Sequence, residues 1–416
     1  MTASKPHRPL GIRVLNALGE ASGALGWRVP GLDEDRLLHA ARRATGLEDF
    51  DGDHFREGLG RLLRALDEEA QLNTLGRLMA RQNVLNYLKN RLELHDYRKR
   101  HPEVAEQRIR RPIFILGLPR TGTTILFGLL AEDPANRAPL SWEVESPCPP
   151  PAEDASASDP RIARIQRGFD RLHGLAPDLY SIHEMGALLP QECVAITAHE
   201  FMSVGLQILF DVPSYQDWLD RQSFVPALRT HRRFLQHLQS PGAERRWILK
   251  TPGHLPVIED LLEVYPDACI IHTHRDPLQV MPSLASLSYT LRGAGSDSVD
   301  PRFVGRQQAD LWERNLNRAL EARERLVDEK DRFFDAQFED VVADPIGLIA
   351  RIYEHFGLSL GDEARTRMRA YLRDNRRGKH GAHEYSLEDF GLDRERDGSR
   401  FAHYCRRFEI PTGMAV

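Results

Sequence analysis

The chain has 416 residues, of which 28% are charged and 41% hydrophobic, and its formal net charge is −5; this is the composition of a folded globular protein, not of a disordered one. Its length suits one large domain with additions or two to three smaller ones. The charge balance excludes a global positive field drawing the chain to nucleic acid or an anionic membrane, so any anion site must be local.

The stretch from Met1 to Gly31 carries Arg8, Arg13, Glu20 and Arg28 through its apolar run, which argues against a signal-peptide core or a spanning helix. Elsewhere the apolar runs are too short for stable membrane insertion, and the four cysteines, Cys148, Cys193, Cys269 and Cys405, lie far apart with no metal-ligand spacing. They read as free thiols in a reducing cytosol, so the expected location is cytoplasmic.

From Asp33 to about Arg111, Leu37, Leu38, Ala41, then Leu59, Leu62, Leu63, Leu66, then Leu78, Val84, Leu85, Leu88 and Leu92 recur at spacings of three and four, predicting amphipathic helices. The basic stretch Arg98, Lys99, Arg100 to Arg108, Arg110 and Arg111 reads as a solvated connection, with a boundary between an N-terminal helical region (1–110) and the main domain (111–416). The pattern then changes to short apolar runs followed by amphipathic segments. Ile113–Leu116 precedes a helix from about Thr123 to Ala131, Trp247–Leu249 a helix through Pro256 to Tyr265, Cys269–Ile271 one through Pro277 to Leu291, and Phe333–Phe338 one over Ile346–Phe356. Alternating β and α with continuous apolar strands predicts an α/β fold: a three-layer αβα, P-loop-NTPase-like architecture with a central parallel sheet, extended by the N-terminal helices. Between the first two units lies an insertion (139–246) with a Pro-rich loop and a Ser/Asp-rich spacer at 153–160, expected to shape an acceptor pocket.

Gly117-Leu118-Pro119-Arg120-Thr121-Gly122-Thr123-Thr124 stands where a strand ends and a helix begins, so unpaired backbone N–H groups and the helix dipole converge on one point. The glycines permit a tight turn and close approach to oxygen atoms, while the threonine hydroxyls and Arg120 add donors. An anion is expected there. The spacing imitates GxxxxGK[ST], but Thr123 occupies the lysine position that reaches the β/γ-phosphates of a nucleoside triphosphate, which disfavours an ATPase or GTPase.

Together, Leu118–Thr124 (LPRTGTT), Trp142-Glu143-Val144, His183-Glu184-Met185-Gly186, Leu249–Leu255 (LKTPGHL), Thr273–Pro277 (THRDP) and Tyr385–Leu392 (YSLEDFGL) resemble bacterial sulfotransferases that use 3′-phosphoadenosine 5′-phosphosulfate (PAPS). The resemblance spans nearly the whole chain. It implies that Arg120, Thr121, Gly122, Thr123 and Thr124 grip the 5′-phosphosulfate, although better-studied cytosolic members carry lysine where Arg120 stands. It implies that Arg275 and Ser283, eight positions apart, hold the 3′-phosphate, joined by Arg377, Gly378 and Lys379. Sulfuryl transfer is an in-line displacement in which positioning and charge stabilisation do most of the work, and no metal is expected. The resemblance makes His254 the base that deprotonates the acceptor and Lys250 a bridging or charge-stabilising residue, with His183, Glu184 and Glu143 as rival bases. The expected function is transfer of a sulfuryl group from PAPS to a hydroxyl or amine of a small, lipophilic acceptor. The alternatives are a kinase-like phosphotransferase and a non-catalytic nucleotide-binding protein.

Overall fold

The computed structural model describes residues 10–24, 28–152, 159–175, 185–375 and 386–413. Five parallel strands, β1 (Ile113–Gly117), β2 (Asn136–Arg137), β3 (Arg246–Lys250), β4 (Cys269–His274) and β5 (Phe333–Gln337), form one sheet in the order β2-β3-β1-β4-β5. The chain builds β2 and β3 on one side of β1, then crosses to build β4 and β5 on the other. The carboxyl end of β1 is therefore the switch point, where open α/β sheets leave a crevice for ligands.

Strand alternation sorts the two faces. Ile113 and Ile115 of β1 pack with Leu126, Leu129 and Leu130 of the helix Thr123–Ala131 and with Leu348, Ile349 and Met368 beyond β5. Phe114 and Leu116 point the other way, into a larger core. That core also holds Leu37, Leu59, Leu66, Val84 and Leu92 of the helices Glu34–Thr45, Arg56–Glu68 and Thr74–Arg100, so a division near residue 110 does not appear as a break in packing. Gly76 and Gly295 let two helices meet: a Cβ on Gly76 would lie 2.1 Å from the Gly295 carbonyl oxygen.

A buried ion pair fixes the N-terminal helices to the insertion. Arg91, 5% exposed, donates to Glu200 Oε2 at 2.7 Å, and Glu200, 1% exposed, also faces His54 Nε2 at 2.9 Å and accepts from Thr230 at 2.8 Å. Removing one charge strands the other away from water, so Glu200→Gln is expected to cost about 3–5 kcal/mol of stability. Urea unfolding of the variant checks this; a loss below about 1 kcal/mol would show that the pair is not holding these elements together.

Candidate active site

The loop after β1 is shaped by backbone geometry before any side chain acts. Gly117 has φ +142°, and a Cβ there would lie 2.1 Å from Thr273 Oγ1 and 2.7 Å from the Thr273 carbonyl oxygen. Gly122 has φ +88°, and a Cβ there would lie 2.7 Å from Val341 Cγ1. Both positions demand glycine, for conformation and for space. Gly122 is also the N-cap of Thr123–Ala131 and contributes no side-chain cap, so the first amides of the helix stay open to a ligand.

Arg120 holds a left-handed conformation, φ +67°, which a non-glycine residue adopts only at a cost of about 1 kcal/mol or more. Its carbonyl accepts from Arg275 Nη1 at 3.0 Å, and Arg275 Nη2 reaches Gln279 Oε1 at 3.3 Å while its guanidinium lies 3.9 Å over the Phe338 ring. The end of β4 thus braces the loop after β1. Arg275 is thereby brought against the backbone of Arg120, beside the switch point. Ser283, half-buried on the helix Pro277–Gly295, lies one turn beyond Gln279 on the same helix face.

The threonines divide their tasks. Thr124 is exposed and Thr123 buried at the start of the helix. Thr121 is fully buried, and its hydroxyl, expected to face the anion, instead donates to the Leu118 carbonyl at 2.6 Å and meets Thr273 Oγ1 at 2.6 Å. The hydroxyls of Thr121 in the loop and Thr273 on β4 brace the loop from beneath, which leaves Thr121 only its backbone amide to offer a ligand.

The largest departure concerns Lys250 and His254, which the sequence places side by side at the edge of β3. Lys250 shares the face of Ile248, and its ammonium lies 5.8 Å from the ring of Phe127 on the loop helix and 2.5 Å from Glu192 Oε1. His254 lies on the opposite face. It is 1% exposed, its ring sits 5.5 Å from Phe114 and 6.1 Å from His231, and neither ring nitrogen has a hydrogen-bond partner among the described residues. Burial pushes its pKa down to about 3. The reason is the short 3-10 turn Pro252–Val257, which turns the chain back into the core immediately after Thr251. In this structure His254 is therefore a core imidazole, set apart from the sheet edge where Lys250 stands.

Glu192, which sequence reading missed, takes the place beside Lys250. Three backbone hydrogen bonds, Ser141 N to Leu189 O, Trp142 N to Ala187 O and Gln191 N to Pro139 O, stitch the segment before it to the chain leaving β2. Glu192 is thereby carried to the sheet edge, where it remains partly exposed. Of the rival bases, Glu143 is closed off: one carboxylate oxygen accepts from Arg137 Nη2 and the other from the Leu140 amide, each at 2.9 Å. His183, Glu184, Arg377, Gly378, Lys379 and Tyr385 lie outside the described residues.

One further group has metal-like spacing, His272, His274 and Asp335. Arg323 forks the Asp335 carboxylate at 2.8 and 2.9 Å, and His274 bridges Asp335 Oδ1 at 3.0 Å and the Tyr404 hydroxyl at 2.8 Å. These atoms tie the C-terminal helix Arg394–Arg407 to the sheet.

Comparison with known proteins identifies the family. A sulfotransferase family model matches residues 112–362. The curated omega-hydroxy-beta-dihydromenaquinone-9 sulfotransferases of Mycobacterium bovis and Mycobacterium tuberculosis are 31% identical over 308 residues, covering 70% of this chain and 74% of theirs. Among solved structures, sulfotransferase STF1 of Mycobacterium tuberculosis is 37% identical with a TM-score of 0.81, covering 89% of this chain and 98% of that one. Sulfotransferase STF9 of Mycobacterium avium is 31% identical with a TM-score of 0.84, covering 92% and 98%.

Proposed function

This chain belongs to the sulfotransferase family, and we propose that it transfers the sulfuryl group of PAPS to a hydroxyl of a small lipophilic acceptor, with Glu192 as the base and Lys250 as the charge-stabilising residue. The observation that carries this reading is the Arg275–Arg120 contact, which joins the two anion-binding elements into one surface at the switch point. A donor with phosphate groups at both ends of its adenosine needs two such clusters facing one crevice. The open amides of Thr123 and Thr124, together with Arg120, suit the 5′ end; Arg275 and Ser283 suit the 3′-phosphate, with Arg377, Gly378 and Lys379 as further donors.

Lys250 stands on the loop-helix face, where negative charge develops on the oxygen bridging sulfur and phosphorus. Its ammonium stabilises that charge, and Glu192 takes the proton of the attacking hydroxyl. The apolar character of the acceptor rests on the relatives whose name specifies a menaquinone derivative. Placement in the cytoplasm accords with the spaced, free cysteines.

Because Arg275 both holds the strained carbonyl of Arg120 and serves the 3′-phosphate, its loss removes a charge-assisted contact and loosens the loop. Arg275→Ala is expected to weaken adenosine 3′,5′-bisphosphate binding about 100-fold, measured by calorimetry. Adenosine 5′-phosphosulfate, which lacks the 3′-phosphate, should bind the wild type and the variant within about tenfold of each other. No heat from the bisphosphate with wild-type protein at millimolar concentration would sink the donor assignment. Magnesium-dependent turnover of ATP would favour the kinase-like alternative.

A further inference from the structure

β4 and β5 run in parallel register with His274 beside Gln337, so the first residue past each strand, Arg275 and Phe338, stand together at the carboxyl edge of the sheet. The Arg275 guanidinium lies 3.9 Å over the Phe338 ring, well within the reach of about 6 Å for attraction between a cation and an aromatic face. Both residues are half-buried, which strengthens that attraction over its value in open water. Phe338 belongs to none of the apolar clusters among the described residues, whereas Val341, three positions on in the short helix Phe338–Ala343, packs into the core and lies against Gly122. Val341 therefore seats the helix, and the Phe338 ring is spare for another task.

That task follows from how Arg275 is held. Its Nη1 donates to the Arg120 carbonyl at 3.0 Å and its Nη2 to Gln279 Oε1 at 3.3 Å. Two hydrogen bonds locate the terminal nitrogens, but they do not by themselves stop the guanidinium plane rocking about the line that joins them. A ring lying across one face does. Orientation matters because a guanidinium recognises phosphate through a planar fork of N–H groups, whose direction is fixed by that plane. We propose that Phe338 is a positioning residue for the donor's 3′-phosphate: it stacks on the Arg275 guanidinium, sets its plane, and acts on the phosphate only through Arg275. This deepens, and rests on, the assignment of Arg275 to the 3′-phosphate.

Calorimetry on the full chain tests this with adenosine 3′,5′-bisphosphate and adenosine 5′-phosphate, whose affinity ratio isolates what the 3′-phosphate adds. Phe338→Leu keeps an apolar side chain and removes the aromatic face, and the ratio should fall about fivefold. Phe338→Tyr keeps the ring and should stay within about twofold of wild type; Phe338→Met replaces the leucine variant if that one does not fold. In an Arg275→Ala background, Phe338→Leu should change the ratio by less than about twofold, because the group it orients is gone. Any contact of Phe338 with the nucleoside would weaken both ligands alike and cancel in the ratio. An unchanged ratio in Phe338→Leu, an equal fall in Phe338→Tyr, or an equal fall in the Arg275→Ala background would each overturn the positioning role. A ratio near one in the wild type would sink the donor assignment and the positioning role with it. A ratio that collapses in Arg275→Ala yet holds in Phe338→Leu would leave the donor assignment standing and remove the role of Phe338 alone.

Discussion

Glu192→Gln is expected to lower kcat by about 10²–10⁴ while leaving adenosine 3′,5′-bisphosphate affinity within about twofold of wild type. The amide keeps the side chain's shape and one acceptor oxygen toward Lys250, so the edge of β3 should stay in place; what disappears is the capacity to take a proton. The counterpart is His254→Leu, which places an apolar side chain of similar size where an unpartnered imidazole stands among Phe114 and His231. That variant should retain at least about a tenth of wild-type kcat, because the ring is 1% exposed and packs on the sheet face opposite Lys250. The inverse pattern, with Glu192→Gln active and His254→Leu inactive, would return the proton transfer to the histidine and require the turn at Pro252 to open during turnover. If both variants stay active, the base lies at His183 or Glu184.

The placing of His254 in the core and of Glu192 beside Lys250 shows what a linear sequence can and cannot carry. The phosphate-type loop was legible because its signals are local: an apolar run, a turn rich in glycine, then hydroxyls at a helix start, all within a dozen positions. Four of the five strands were legible for the same reason. β2 was not, since Asn136 and Arg137 form a two-residue edge strand without an apolar run. The sequence brings Lys250 and His254 to the same strand end, but only strand alternation and the 3-10 turn decide that they face opposite sides of the sheet. Glu192 meets Lys250 across 58 residues of chain and precedes a short apolar helix, so its local signal is that of an ordinary helix start. In the basic stretch Lys99, Arg100, Arg108, Arg110 and Arg111 are exposed, as the sequence suggests, while the half-burial of Arg98 depends on Val225–Gln239, a helix remote in sequence. The missing information in each case is a long-range contact.

The histidines make the fold acid-sensitive, and the sign follows from their burial. His199, His231, His237, His254 and His272 are each held below the usual imidazole pKa chiefly by loss of solvation, His199 and His237 to about 4 and His254 to about 3. All five are neutral in the native protein, whereas in the unfolded chain each gains a proton below about pH 6.5. Between those limits the unfolded state binds more protons, so stability is complete above about pH 6.5 and falls as the pH drops toward the folded-state values. Each group contributes a slope of up to about 1.4 kcal/mol per pH unit, and the five act in the same direction. Against a total stability of about 5–15 kcal/mol, protonation of a few of these imidazoles is enough to favour unfolding at acid pH. Urea unfolding at pH 8, 7, 6 and 5.5 should therefore give stabilities that are nearly level down to about pH 7 and then fall steeply, with a slope equivalent to the uptake of several protons. His254→Leu should shed about one proton of that slope, and so lose less stability than wild type between pH 7 and pH 5.5. Equal stability of the wild-type protein at pH 7 and pH 5.5 would mean that these imidazoles are reached by water or by a proton acceptor in the native state.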